Sequence, residues 1–438
     1  MRVGVIGTGH VGLVTAVTLA DAGHDVGAVD VDPEKIETLR RGEVPFYEPG
    51  LPELLDEQVS AGRLSFEREP AAVLPGAEVV FICVGTPSNP DGEANLAVVE
   101  HAAADIARYA DDGAVVVGKS TVPAGTADRI RATFEHDRPD AAFPLVSNPE
   151  FLREGTAISD ALEPDRLLVG ADDARGFDAM RRLYAPMLER GVRLIETDVA
   201  TAELSKHASN AFLALKISYA NALARICELV GADVDAVTDV MGSDPRIGPA
   251  FLGAGLGYGG YCLPKDVAAF ERLAERLGYP FPMLAEVARI NDEAVRAVVE
   301  RLRDEVRELS GSRVAVLGLS FKPETDDVRL SPALALASRL LELGAEVVGF
   351  DPRAGANAKA ELPQMRIASD PYDAADRANA VVLATDWAEF RDLDLARLRN
   401  AVAAPVFVDA RNTMDGRAVA GAGFAYVPVG KQPLRPEA

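Results

Sequence analysis

The chain of 438 residues has three cysteines, one tryptophan and five histidines, and very few of its 45 basic residues are lysine. Cysteines at 83, 227 and 262 are too few and too far apart for a disulfide framework. The scattered His and Cys have no metal-ligand spacing, so no metal is expected. No apolar run is long and clean enough to span a bilayer. Positive charge is also short: 68 acidic residues leave a formal charge of −23. An acidic, Lys-poor surface argues against nucleic acid and membrane as partners. It resembles the solvated surfaces of proteins from high-salt cytoplasm. An anionic substrate would need local cations against this field, which salt shortens from a Debye length of about 8 Å at 0.15 M to about 3 Å at 1 M.

What is present is ample apolar material, 48% of residues, enough for two or three well-filled domains. The N-terminal stretch MRVGVIGTGHVGLVTAVTLADAG is apolar enough for a signal peptide. Its glycine spacing instead indicates a folded, retained segment and a cytoplasmic location. Residues 2–6 read as a buried strand, followed by Gly7, Gly9 and Gly12, a helical run closed by Gly23, and a second strand ending in Asp30. This is the dinucleotide fingerprint in its strand–turn–helix context. Gly7 makes the turn, Gly9 admits the pyrophosphate and Gly12 lets helix pack on strand. Asp30 should hold the adenine-ribose hydroxyls and repel a 2′-phosphate, which favours NAD.

Strands at 78–85 and 114–120 continue the α/β rhythm and deliver Thr86-Pro87 and Thr121-Val122-Pro123 to their carboxyl ends, where such sheets bind ligands. FPLVSNPEFLREGTA presents Glu150, with Glu154 placed one helical turn later, facing either a ligand or solvent. Residues 201–230 have helical periodicity after Asp198 as N-cap, with apolar positions from Leu204 to Leu229 on more than one face, which predicts a subunit interface. Along this helix Glu203, Lys206 and Asn210 form a stripe. Either Glu203 and Lys206 pair at the surface, or the ammonium and the amide aim at developing negative charge.

GAGLGYGGYCLPKD, residues 253–266, brings five glycines up to Cys262, with Lys265 and Asp266 beyond. Such a loop lets backbone approach a ligand, and a thiol on it reads as a nucleophile or as an incidental cysteine. Past Ser310-Gly311 a second strand–turn–helix–strand unit ends in Asp351, without the glycine fingerprint. Lys322, Arg329 and Arg411 sit in its strand-exit loops and suit a second phosphate-bearing ligand. The expected class is α/β: two Rossmann-like doubly wound domains, 1–197 for NAD and 310–438 for the second ligand. A long central helix and a helical dimerisation domain with the cysteine loop, 198–309, join them.

GTGHVG, VGTP, KSTVPAGT, NPEFLREGTA, AELSKHASNAFLALKIS, RIGPAFLGAGLGYGGYCLPKD, FKPETDDVR and DARN stand in the order found in the UDP-glucose/GDP-mannose dehydrogenase family. The chain resembles that family over nearly its whole length. The resemblance implies a four-electron oxidation of the C6 alcohol of a nucleotide sugar to a carboxylate, with two NAD, in polysaccharide biosynthesis. UDP-glucose is the expected substrate and UDP-glucuronate the product; GDP-mannose or a UDP-N-acetylhexosamine is the alternative. By the same resemblance Cys262 is the nucleophile, forming a thiohemiacetal and then a thioester.

The resemblance further implies that Lys206 and Asn210 stabilise the oxyanion, that Asp266 and Thr121 position a water, and that Glu150 is the base for thioester hydrolysis. Thr86, Thr121 and Glu154 would lie near the nicotinamide, and Gly7, Gly9, His10, Val11, Gly12, Asp30, Lys35, Lys265 and Arg329 would complete the cofactor contacts. Substrate would be held by Glu150, Phe151, Leu152, Arg153, Lys206, Asn210, Gly253, Tyr258, Gly259, Phe321, Lys322 and Arg411. Arg246 would reach a neighbouring subunit's substrate, implying a homodimer or larger assembly. Tyr261 stands where many members have Ser, which leaves the sugar open. A binding regulator without turnover and a two-electron alcohol dehydrogenase are readings from other classes.

Overall fold

The computed structural model describes residues 1–87, 89 and 92–436, so the last two residues of the expected third domain lie outside it. The chain divides into two compact units, Met1–Ser209 with Arg272–Gly278, and Asn210–Glu271 with Tyr279–Ala438.

The first unit is built on eight strands: β1 (Arg2–Ile6), β2 (Asp25–Val29), β3 (Leu64–Glu67), β4 (Val79–Ile82), β5 (Val115–Gly118), β6 (Leu145–Ser147), β7 (Leu167–Ala171) and β8 (Leu194–Thr197). Their order is β3-β2-β1-β4-β5-β6-β7-β8, parallel except where β6 meets β7. The order reverses between β1 and β4, the switch point at which doubly wound sheets bind ligands. Helices cover both faces, so the strands read as continuous apolar runs rather than alternating ones. Val79 and Phe81 of β4 enter one core with Val115 and Val117 of β5. Val80, Ile82 and Val116 enter the core on the other face.

The second unit holds six strands, β9 (Arg313–Leu317), β10 (Glu346–Phe350), β11 (Arg366–Ile367), β12 (Ala380–Leu383), β13 (Val406–Asp409) and β14 (Ala425–Pro428), all parallel in the order β11-β10-β9-β12-β13-β14. The reversal between β9 and β12 repeats the topology of the first unit. The acid closing the second strand also recurs: Asp30 accepts the Thr8 N–H at 2.8 Å, and Asp351 accepts those of Leu319 and Ser320 at 2.7 and 3.0 Å. Each carboxylate pins the turn after the first strand of its own sheet. The expected class, two doubly wound sheets with a helical middle region, is the observed one.

That middle region contains helices Val199–Val230, Val234–Gly242, Cys262–Arg276 and Pro282–Val306. The long helix begins two residues before the periodicity predicts, and Asp198 accepts the Thr201 N–H at 2.8 Å. It ends before Gly231, whose φ of 75° lies in the left-handed region that terminates helices. Small residues such as Ala211, Ala214, Ala220 and Ala224 form its buried face, whereas Phe212, Tyr219, Ile226 and Leu229 are exposed. Glu150 and Glu154 do not share a helix face. Residues 148–153 have no regular structure and a turn follows, the next helix beginning only at Ala157. Among the described residues no helix is long and apolar enough to cross a membrane.

β7 packs against the start of the long helix through Gly170. A Cβ there would lie 2.5 Å from Ala202 Cβ and 2.6 Å from the Asp198 carbonyl oxygen. Overpacking of this kind costs about 1–3 kcal/mol. Gly170→Ala is expected to lower the unfolding free energy obtained from urea denaturation by that amount, and an unchanged value would show that strand and helix can part freely.

Candidate functional site

In the first unit, the turn after β1 is set by Gly7, whose φ is 94° and whose Cβ would fall 2.7 Å from the Cys83 carbonyl oxygen. Gly12 has no room for a Cβ, which would stand 1.9 Å from the Gly7 oxygen. Gly9 differs: nothing lies within 4 Å of a Cβ built there. Helix His10–Asp21 begins at Gly9 with no side-chain cap, so its first amides and its positive end are offered to an anion. Open backbone at an uncapped helix end fits a pyrophosphate. Asp30 accepts hydrogen bonds from Thr8 Oγ at 2.9 Å and from Lys35 Nζ at 3.0 Å. Burial pushes its carboxyl up, but the N–H groups of Thr8 and Asp32 and the Lys35 ammonium outweigh this and hold it below the usual range. Asp30 is therefore an anion in the position that suits a ribose and disfavours a 2′-phosphate.

Val11 lies in the first turn of that helix, and the His10 ring stacks on Phe46 with centroids 4.7 Å apart. His10 Nε2 lies 3.1 Å from Glu48 Oε2, close enough for an ion pair but without hydrogen-bond geometry. Glu48, fully buried, also accepts the N–H groups of Gly155 and Ala157 at 2.7 and 2.8 Å. One carboxylate thus ties the glycine turn to the segment that follows Glu154, which is itself half-buried. Sequence reasoning missed Glu48, because an acid before Pro-Gly in a loop says nothing about partners more than 100 residues away.

Lys206 and Glu150 form an ion pair at 3.1 Å with 5% and 6% of their side chains exposed. The surface pairing of Lys206 with Glu203 does not occur. Glu203 points elsewhere and accepts the Gly125 and Ala127 N–H groups at 2.8 and 3.0 Å. The second carboxylate oxygen of Glu150 accepts the Leu152 N–H at 2.6 Å. Phe151 lies between two cations, Lys206 Nζ at 5.3 Å and the Arg166 guanidinium at 3.7 Å from its ring centre. Arg153 is exposed and bound to Asp160. Thr86 is buried and its hydroxyl donates to the Thr121 carbonyl oxygen at 3.0 Å, which joins the two strand-exit loops.

Behind Glu150 stands Lys119, also missed from the sequence although a lysine closing an apolar strand is itself a signal. It is buried, and its ammonium donates to Asn148 Oδ1 at 3.0 Å, which also accepts the Tyr184 hydroxyl at 2.6 Å. Lys119 and Tyr184 line a cavity of about 150 Å³ with Glu150 and Arg166. Cys83 is buried nearby, its thiol pushed up to about 12 by desolvation, which leaves it inert. Cys227 is buried as well.

In the second unit, Cys262 is exposed at the first residue of helix Cys262–Arg276. Just beneath it Asp266 is fully buried, accepting from Asn210 Nδ2 at 2.6 Å and from Lys265 Nζ at 2.6 Å. Three sequence-predicted residues therefore form one buried network on and beside the helix that begins at Cys262. The glycines leading to it serve the chain more than a ligand. Cβ atoms at Gly255, Gly257, Gly259 and Gly260 would meet Ala410 O at 2.7 Å, Asn291 Oδ1 at 2.6 Å, Leu330 O at 2.4 Å and the Phe321 ring at 2.7 Å. Only Gly253 of the five has nothing within 4 Å of such a Cβ. The loop is tightly packed, contrary to the ligand-approach reading of its glycines. Buried Tyr258 exchanges backbone hydrogen bonds with the Asn291 side chain.

Arg411 carries its guanidinium inward, donating to the carbonyl oxygens of Ala384 at 2.8 Å and Gly257 at 3.0 Å. Desolvation pulls its pKa down from the usual arginine value, with Asp386 and Asp409 opposing. Lys322 Nζ stands 5.7 Å from the Phe321 ring centre. Arg329 lies over Tyr261 at 4.8 Å and is paired with Asp327 at 2.6 Å. Arg246 is exposed and bound to Asp244. These cations differ accordingly: Arg411 is built into the loop's packing, whereas Arg246 is at the surface.

Family models match the chain in three consecutive stretches. The NAD binding domain of the UDP-glucose/GDP-mannose dehydrogenase family matches residues 1–188, its central domain 200–293 and its UDP binding domain 315–416. A UDP-glucose 6-dehydrogenase of Rhizobium meliloti is 44% identical, covering 98% of this chain and 100% of the relative. UDP-glucose 6-dehydrogenase AglM of Haloferax volcanii is 41% identical over 90% of this chain and 93% of its own length. Among solved structures, a UDP-glucose dehydrogenase from Pyrobaculum islandicum superposes with a TM-score of 0.90 at 38% identity, covering 98% of both chains. A UDP-D-ManNAc dehydrogenase from Pyrococcus horikoshii does so at 0.88 and 27%, covering 98% of this chain and 99% of its own. With the dinucleotide corner in the first unit and the thiol and cations in the second, the chain belongs to the UDP-glucose/GDP-mannose dehydrogenase family, as an NAD-dependent nucleotide-sugar 6-dehydrogenase.

Proposed function

We propose that this enzyme oxidises the C6 alcohol of UDP-glucose to the carboxylate of UDP-glucuronate, with Cys262 as covalent nucleophile. The carrying observation is the placement of Cys262: exposed at a helix N-terminus, where partial positive charge favours an anion, one turn from the buried Asn210–Asp266–Lys265 network. Full-length likeness to enzymes named UDP-glucose 6-dehydrogenase supports the sugar. NAD, when bound, accepts one hydride at each of the two oxidations.

The chain's own residues account for the rest. Thr121 and Asp266 position the water that takes the C6 hydroxyl proton. Lys206 and Asn210 stabilise the oxygen as it gains negative charge. The Cys262 sulfur adds to the aldehyde carbon, giving a thiohemiacetal, whose oxidation leaves a thioester. Glu150 takes a proton from water as that water attacks the thioester, which releases the carboxylate and returns the thiol. The Lys206–Glu150 ion pair at 3.1 Å sets the proposed oxyanion-stabilising cation beside the proposed base. Gly7, Gly9, His10, Val11, Gly12, Asp30, Lys35, Thr86, Glu154, Lys265 and Arg329 serve the cofactor. Phe151, Leu152, Arg153, Gly253, Tyr258, Gly259, Phe321, Lys322 and Arg411 serve the nucleotide sugar. The domain division is the one drawn at 197/198 and 309/310.

Tyr261 favours a second reading, the same chemistry on GDP-mannose or a UDP-N-acetylhexosamine. It stands beside the nucleophile with Arg329 over its ring, and the UDP-D-ManNAc dehydrogenase shares the fold. A panel of these sugar nucleotides compared by kcat/KM, with wild type and Cys262→Ala, tests the proposal. UDP-glucose should lead, and Cys262→Ala should abolish acid formation. Full acid formation by Cys262→Ala would refute the nucleophile and favour a two-electron alcohol dehydrogenase. Binding without any turnover by wild type would favour a regulator.

The exposed stripe Phe212, Tyr219, Ile226 and Leu229 supports a homodimer or larger assembly through the long helix, with Arg246 serving a neighbour's substrate. Sedimentation should show at least a dimer. An active monomer would refute the shared role of Arg246.

A further inference from the structure

We infer that Glu203 and His207 are positioning residues, one helical turn apart, that clamp the loop carrying Thr121 and so set its backbone for the reaction. The inference rests on the proposed role of Thr121. The Glu203 carboxylate gives one oxygen to the Gly125 N–H at 2.8 Å and the other to the Ala127 N–H at 3.0 Å. It thereby closes the N-terminus of helix Thr126–Asp137, whose N-cap Gly125 has no side chain to do so. His207 Nε2 shares a hydrogen bond with the Val122 carbonyl oxygen at 3.0 Å. Lys206, between them in sequence, holds Glu150. A single turn of the long helix therefore grips the Thr121 loop on two sides while its middle residue holds the proposed base.

The grip requires two acceptor oxygens. Only the ionised carboxylate supplies both, because a protonated oxygen directs its hydrogen at the N–H it should receive. Burial pushes the Glu203 carboxyl up to about 7, against the pull of the two N–H groups; Asp128 raises it further and Arg131 lowers it. Its folded value lies above the ordinary carboxyl value, so the site contributes most stability at low pH and loses it as pH rises through about 7. The two-acceptor form predominates only on the alkaline side. Stability and grip therefore oppose each other at this residue.

The test is kcat as a function of pH for wild type, Glu203→Gln, Asp128→Asn, Arg131→Gln and Thr121→Ala, each checked for folding by thermal melt. Wild-type kcat should rise through an inflection near 7. Glu203→Gln keeps one acceptor and should lose the inflection, with kcat down about tenfold and the KM for NAD held within about twofold. Asp128→Asn should move the inflection to lower pH and Arg131→Gln to higher pH, both with a near wild-type plateau. A merely structural role would leave the inflection unmoved. If Thr121→Ala lowers kcat while Glu203→Gln keeps the wild-type plateau and profile, the clamp is overturned and the reading of Thr121 stands. If Thr121→Ala changes nothing, that reading falls and the clamp with it. Should Glu203→Gln not fold, the paired shifts of Asp128→Asn and Arg131→Gln decide alone, and an inflection unmoved in both overturns the clamp.

Discussion

A lysine ammonium buried to 5% exposure can be held only if an anion stands within reach, and for Lys206 that anion is Glu150 at 3.1 Å. This constraint ties the first turns of the long helix to the segment leaving β6. Removing either partner would leave a buried charge uncompensated, a loss of about 3–5 kcal/mol. The same physics recurs wherever the first unit places a functional loop. Asp30 pins the glycine turn, Glu48 joins that turn to the segment after Glu154, and Glu203 closes the helix after Thr121. Buried carboxylates paired with backbone N–H groups shape this active-site region, while the sheets supply the floor.

The two sheets share a topology and treat their ligands differently. At Gly9 the first offers bare backbone and an uncapped helix end, which suit a pyrophosphate. In the second, Asp351 is consumed by its own chain, accepting from Leu319, Ser320 and the indole of Trp387, and the helix Pro332–Glu342 is capped by Ser331. Under the proposed function, recognition there would fall to side chains such as Lys322 and Arg411.

What was legible in the sequence was what depends on local spacing. The fingerprint from Gly7 to Asp30 is a contiguous unit whose residues act at fixed offsets, and the structure has strand, turn, helix and acid in that order. Lys206 could be read as needing compensation, but its partner lies 56 positions away and no local pattern names it. Glu48 was missed for the same reason, whereas Lys119, a lysine closing an apolar strand, had a local signal that went unread. Glu150 and Glu154 were read as helical because i, i+4 spacing is a helical signal, yet their backbone is irregular between β6 and the helix at Ala157. The glycines before Cys262 were read as room for a ligand. Four of them are instead required by neighbouring chain, a tertiary fact that composition does not carry.

The central claim is that one thiol carries the substrate through two successive oxidations, and the direct test is stoichiometry. Limiting UDP-glucose should yield two NADH for each sugar consumed, with no aldehyde trapped by added hydrazine or semicarbazide. One NADH per sugar, with aldehyde released to the trap, would contradict the account.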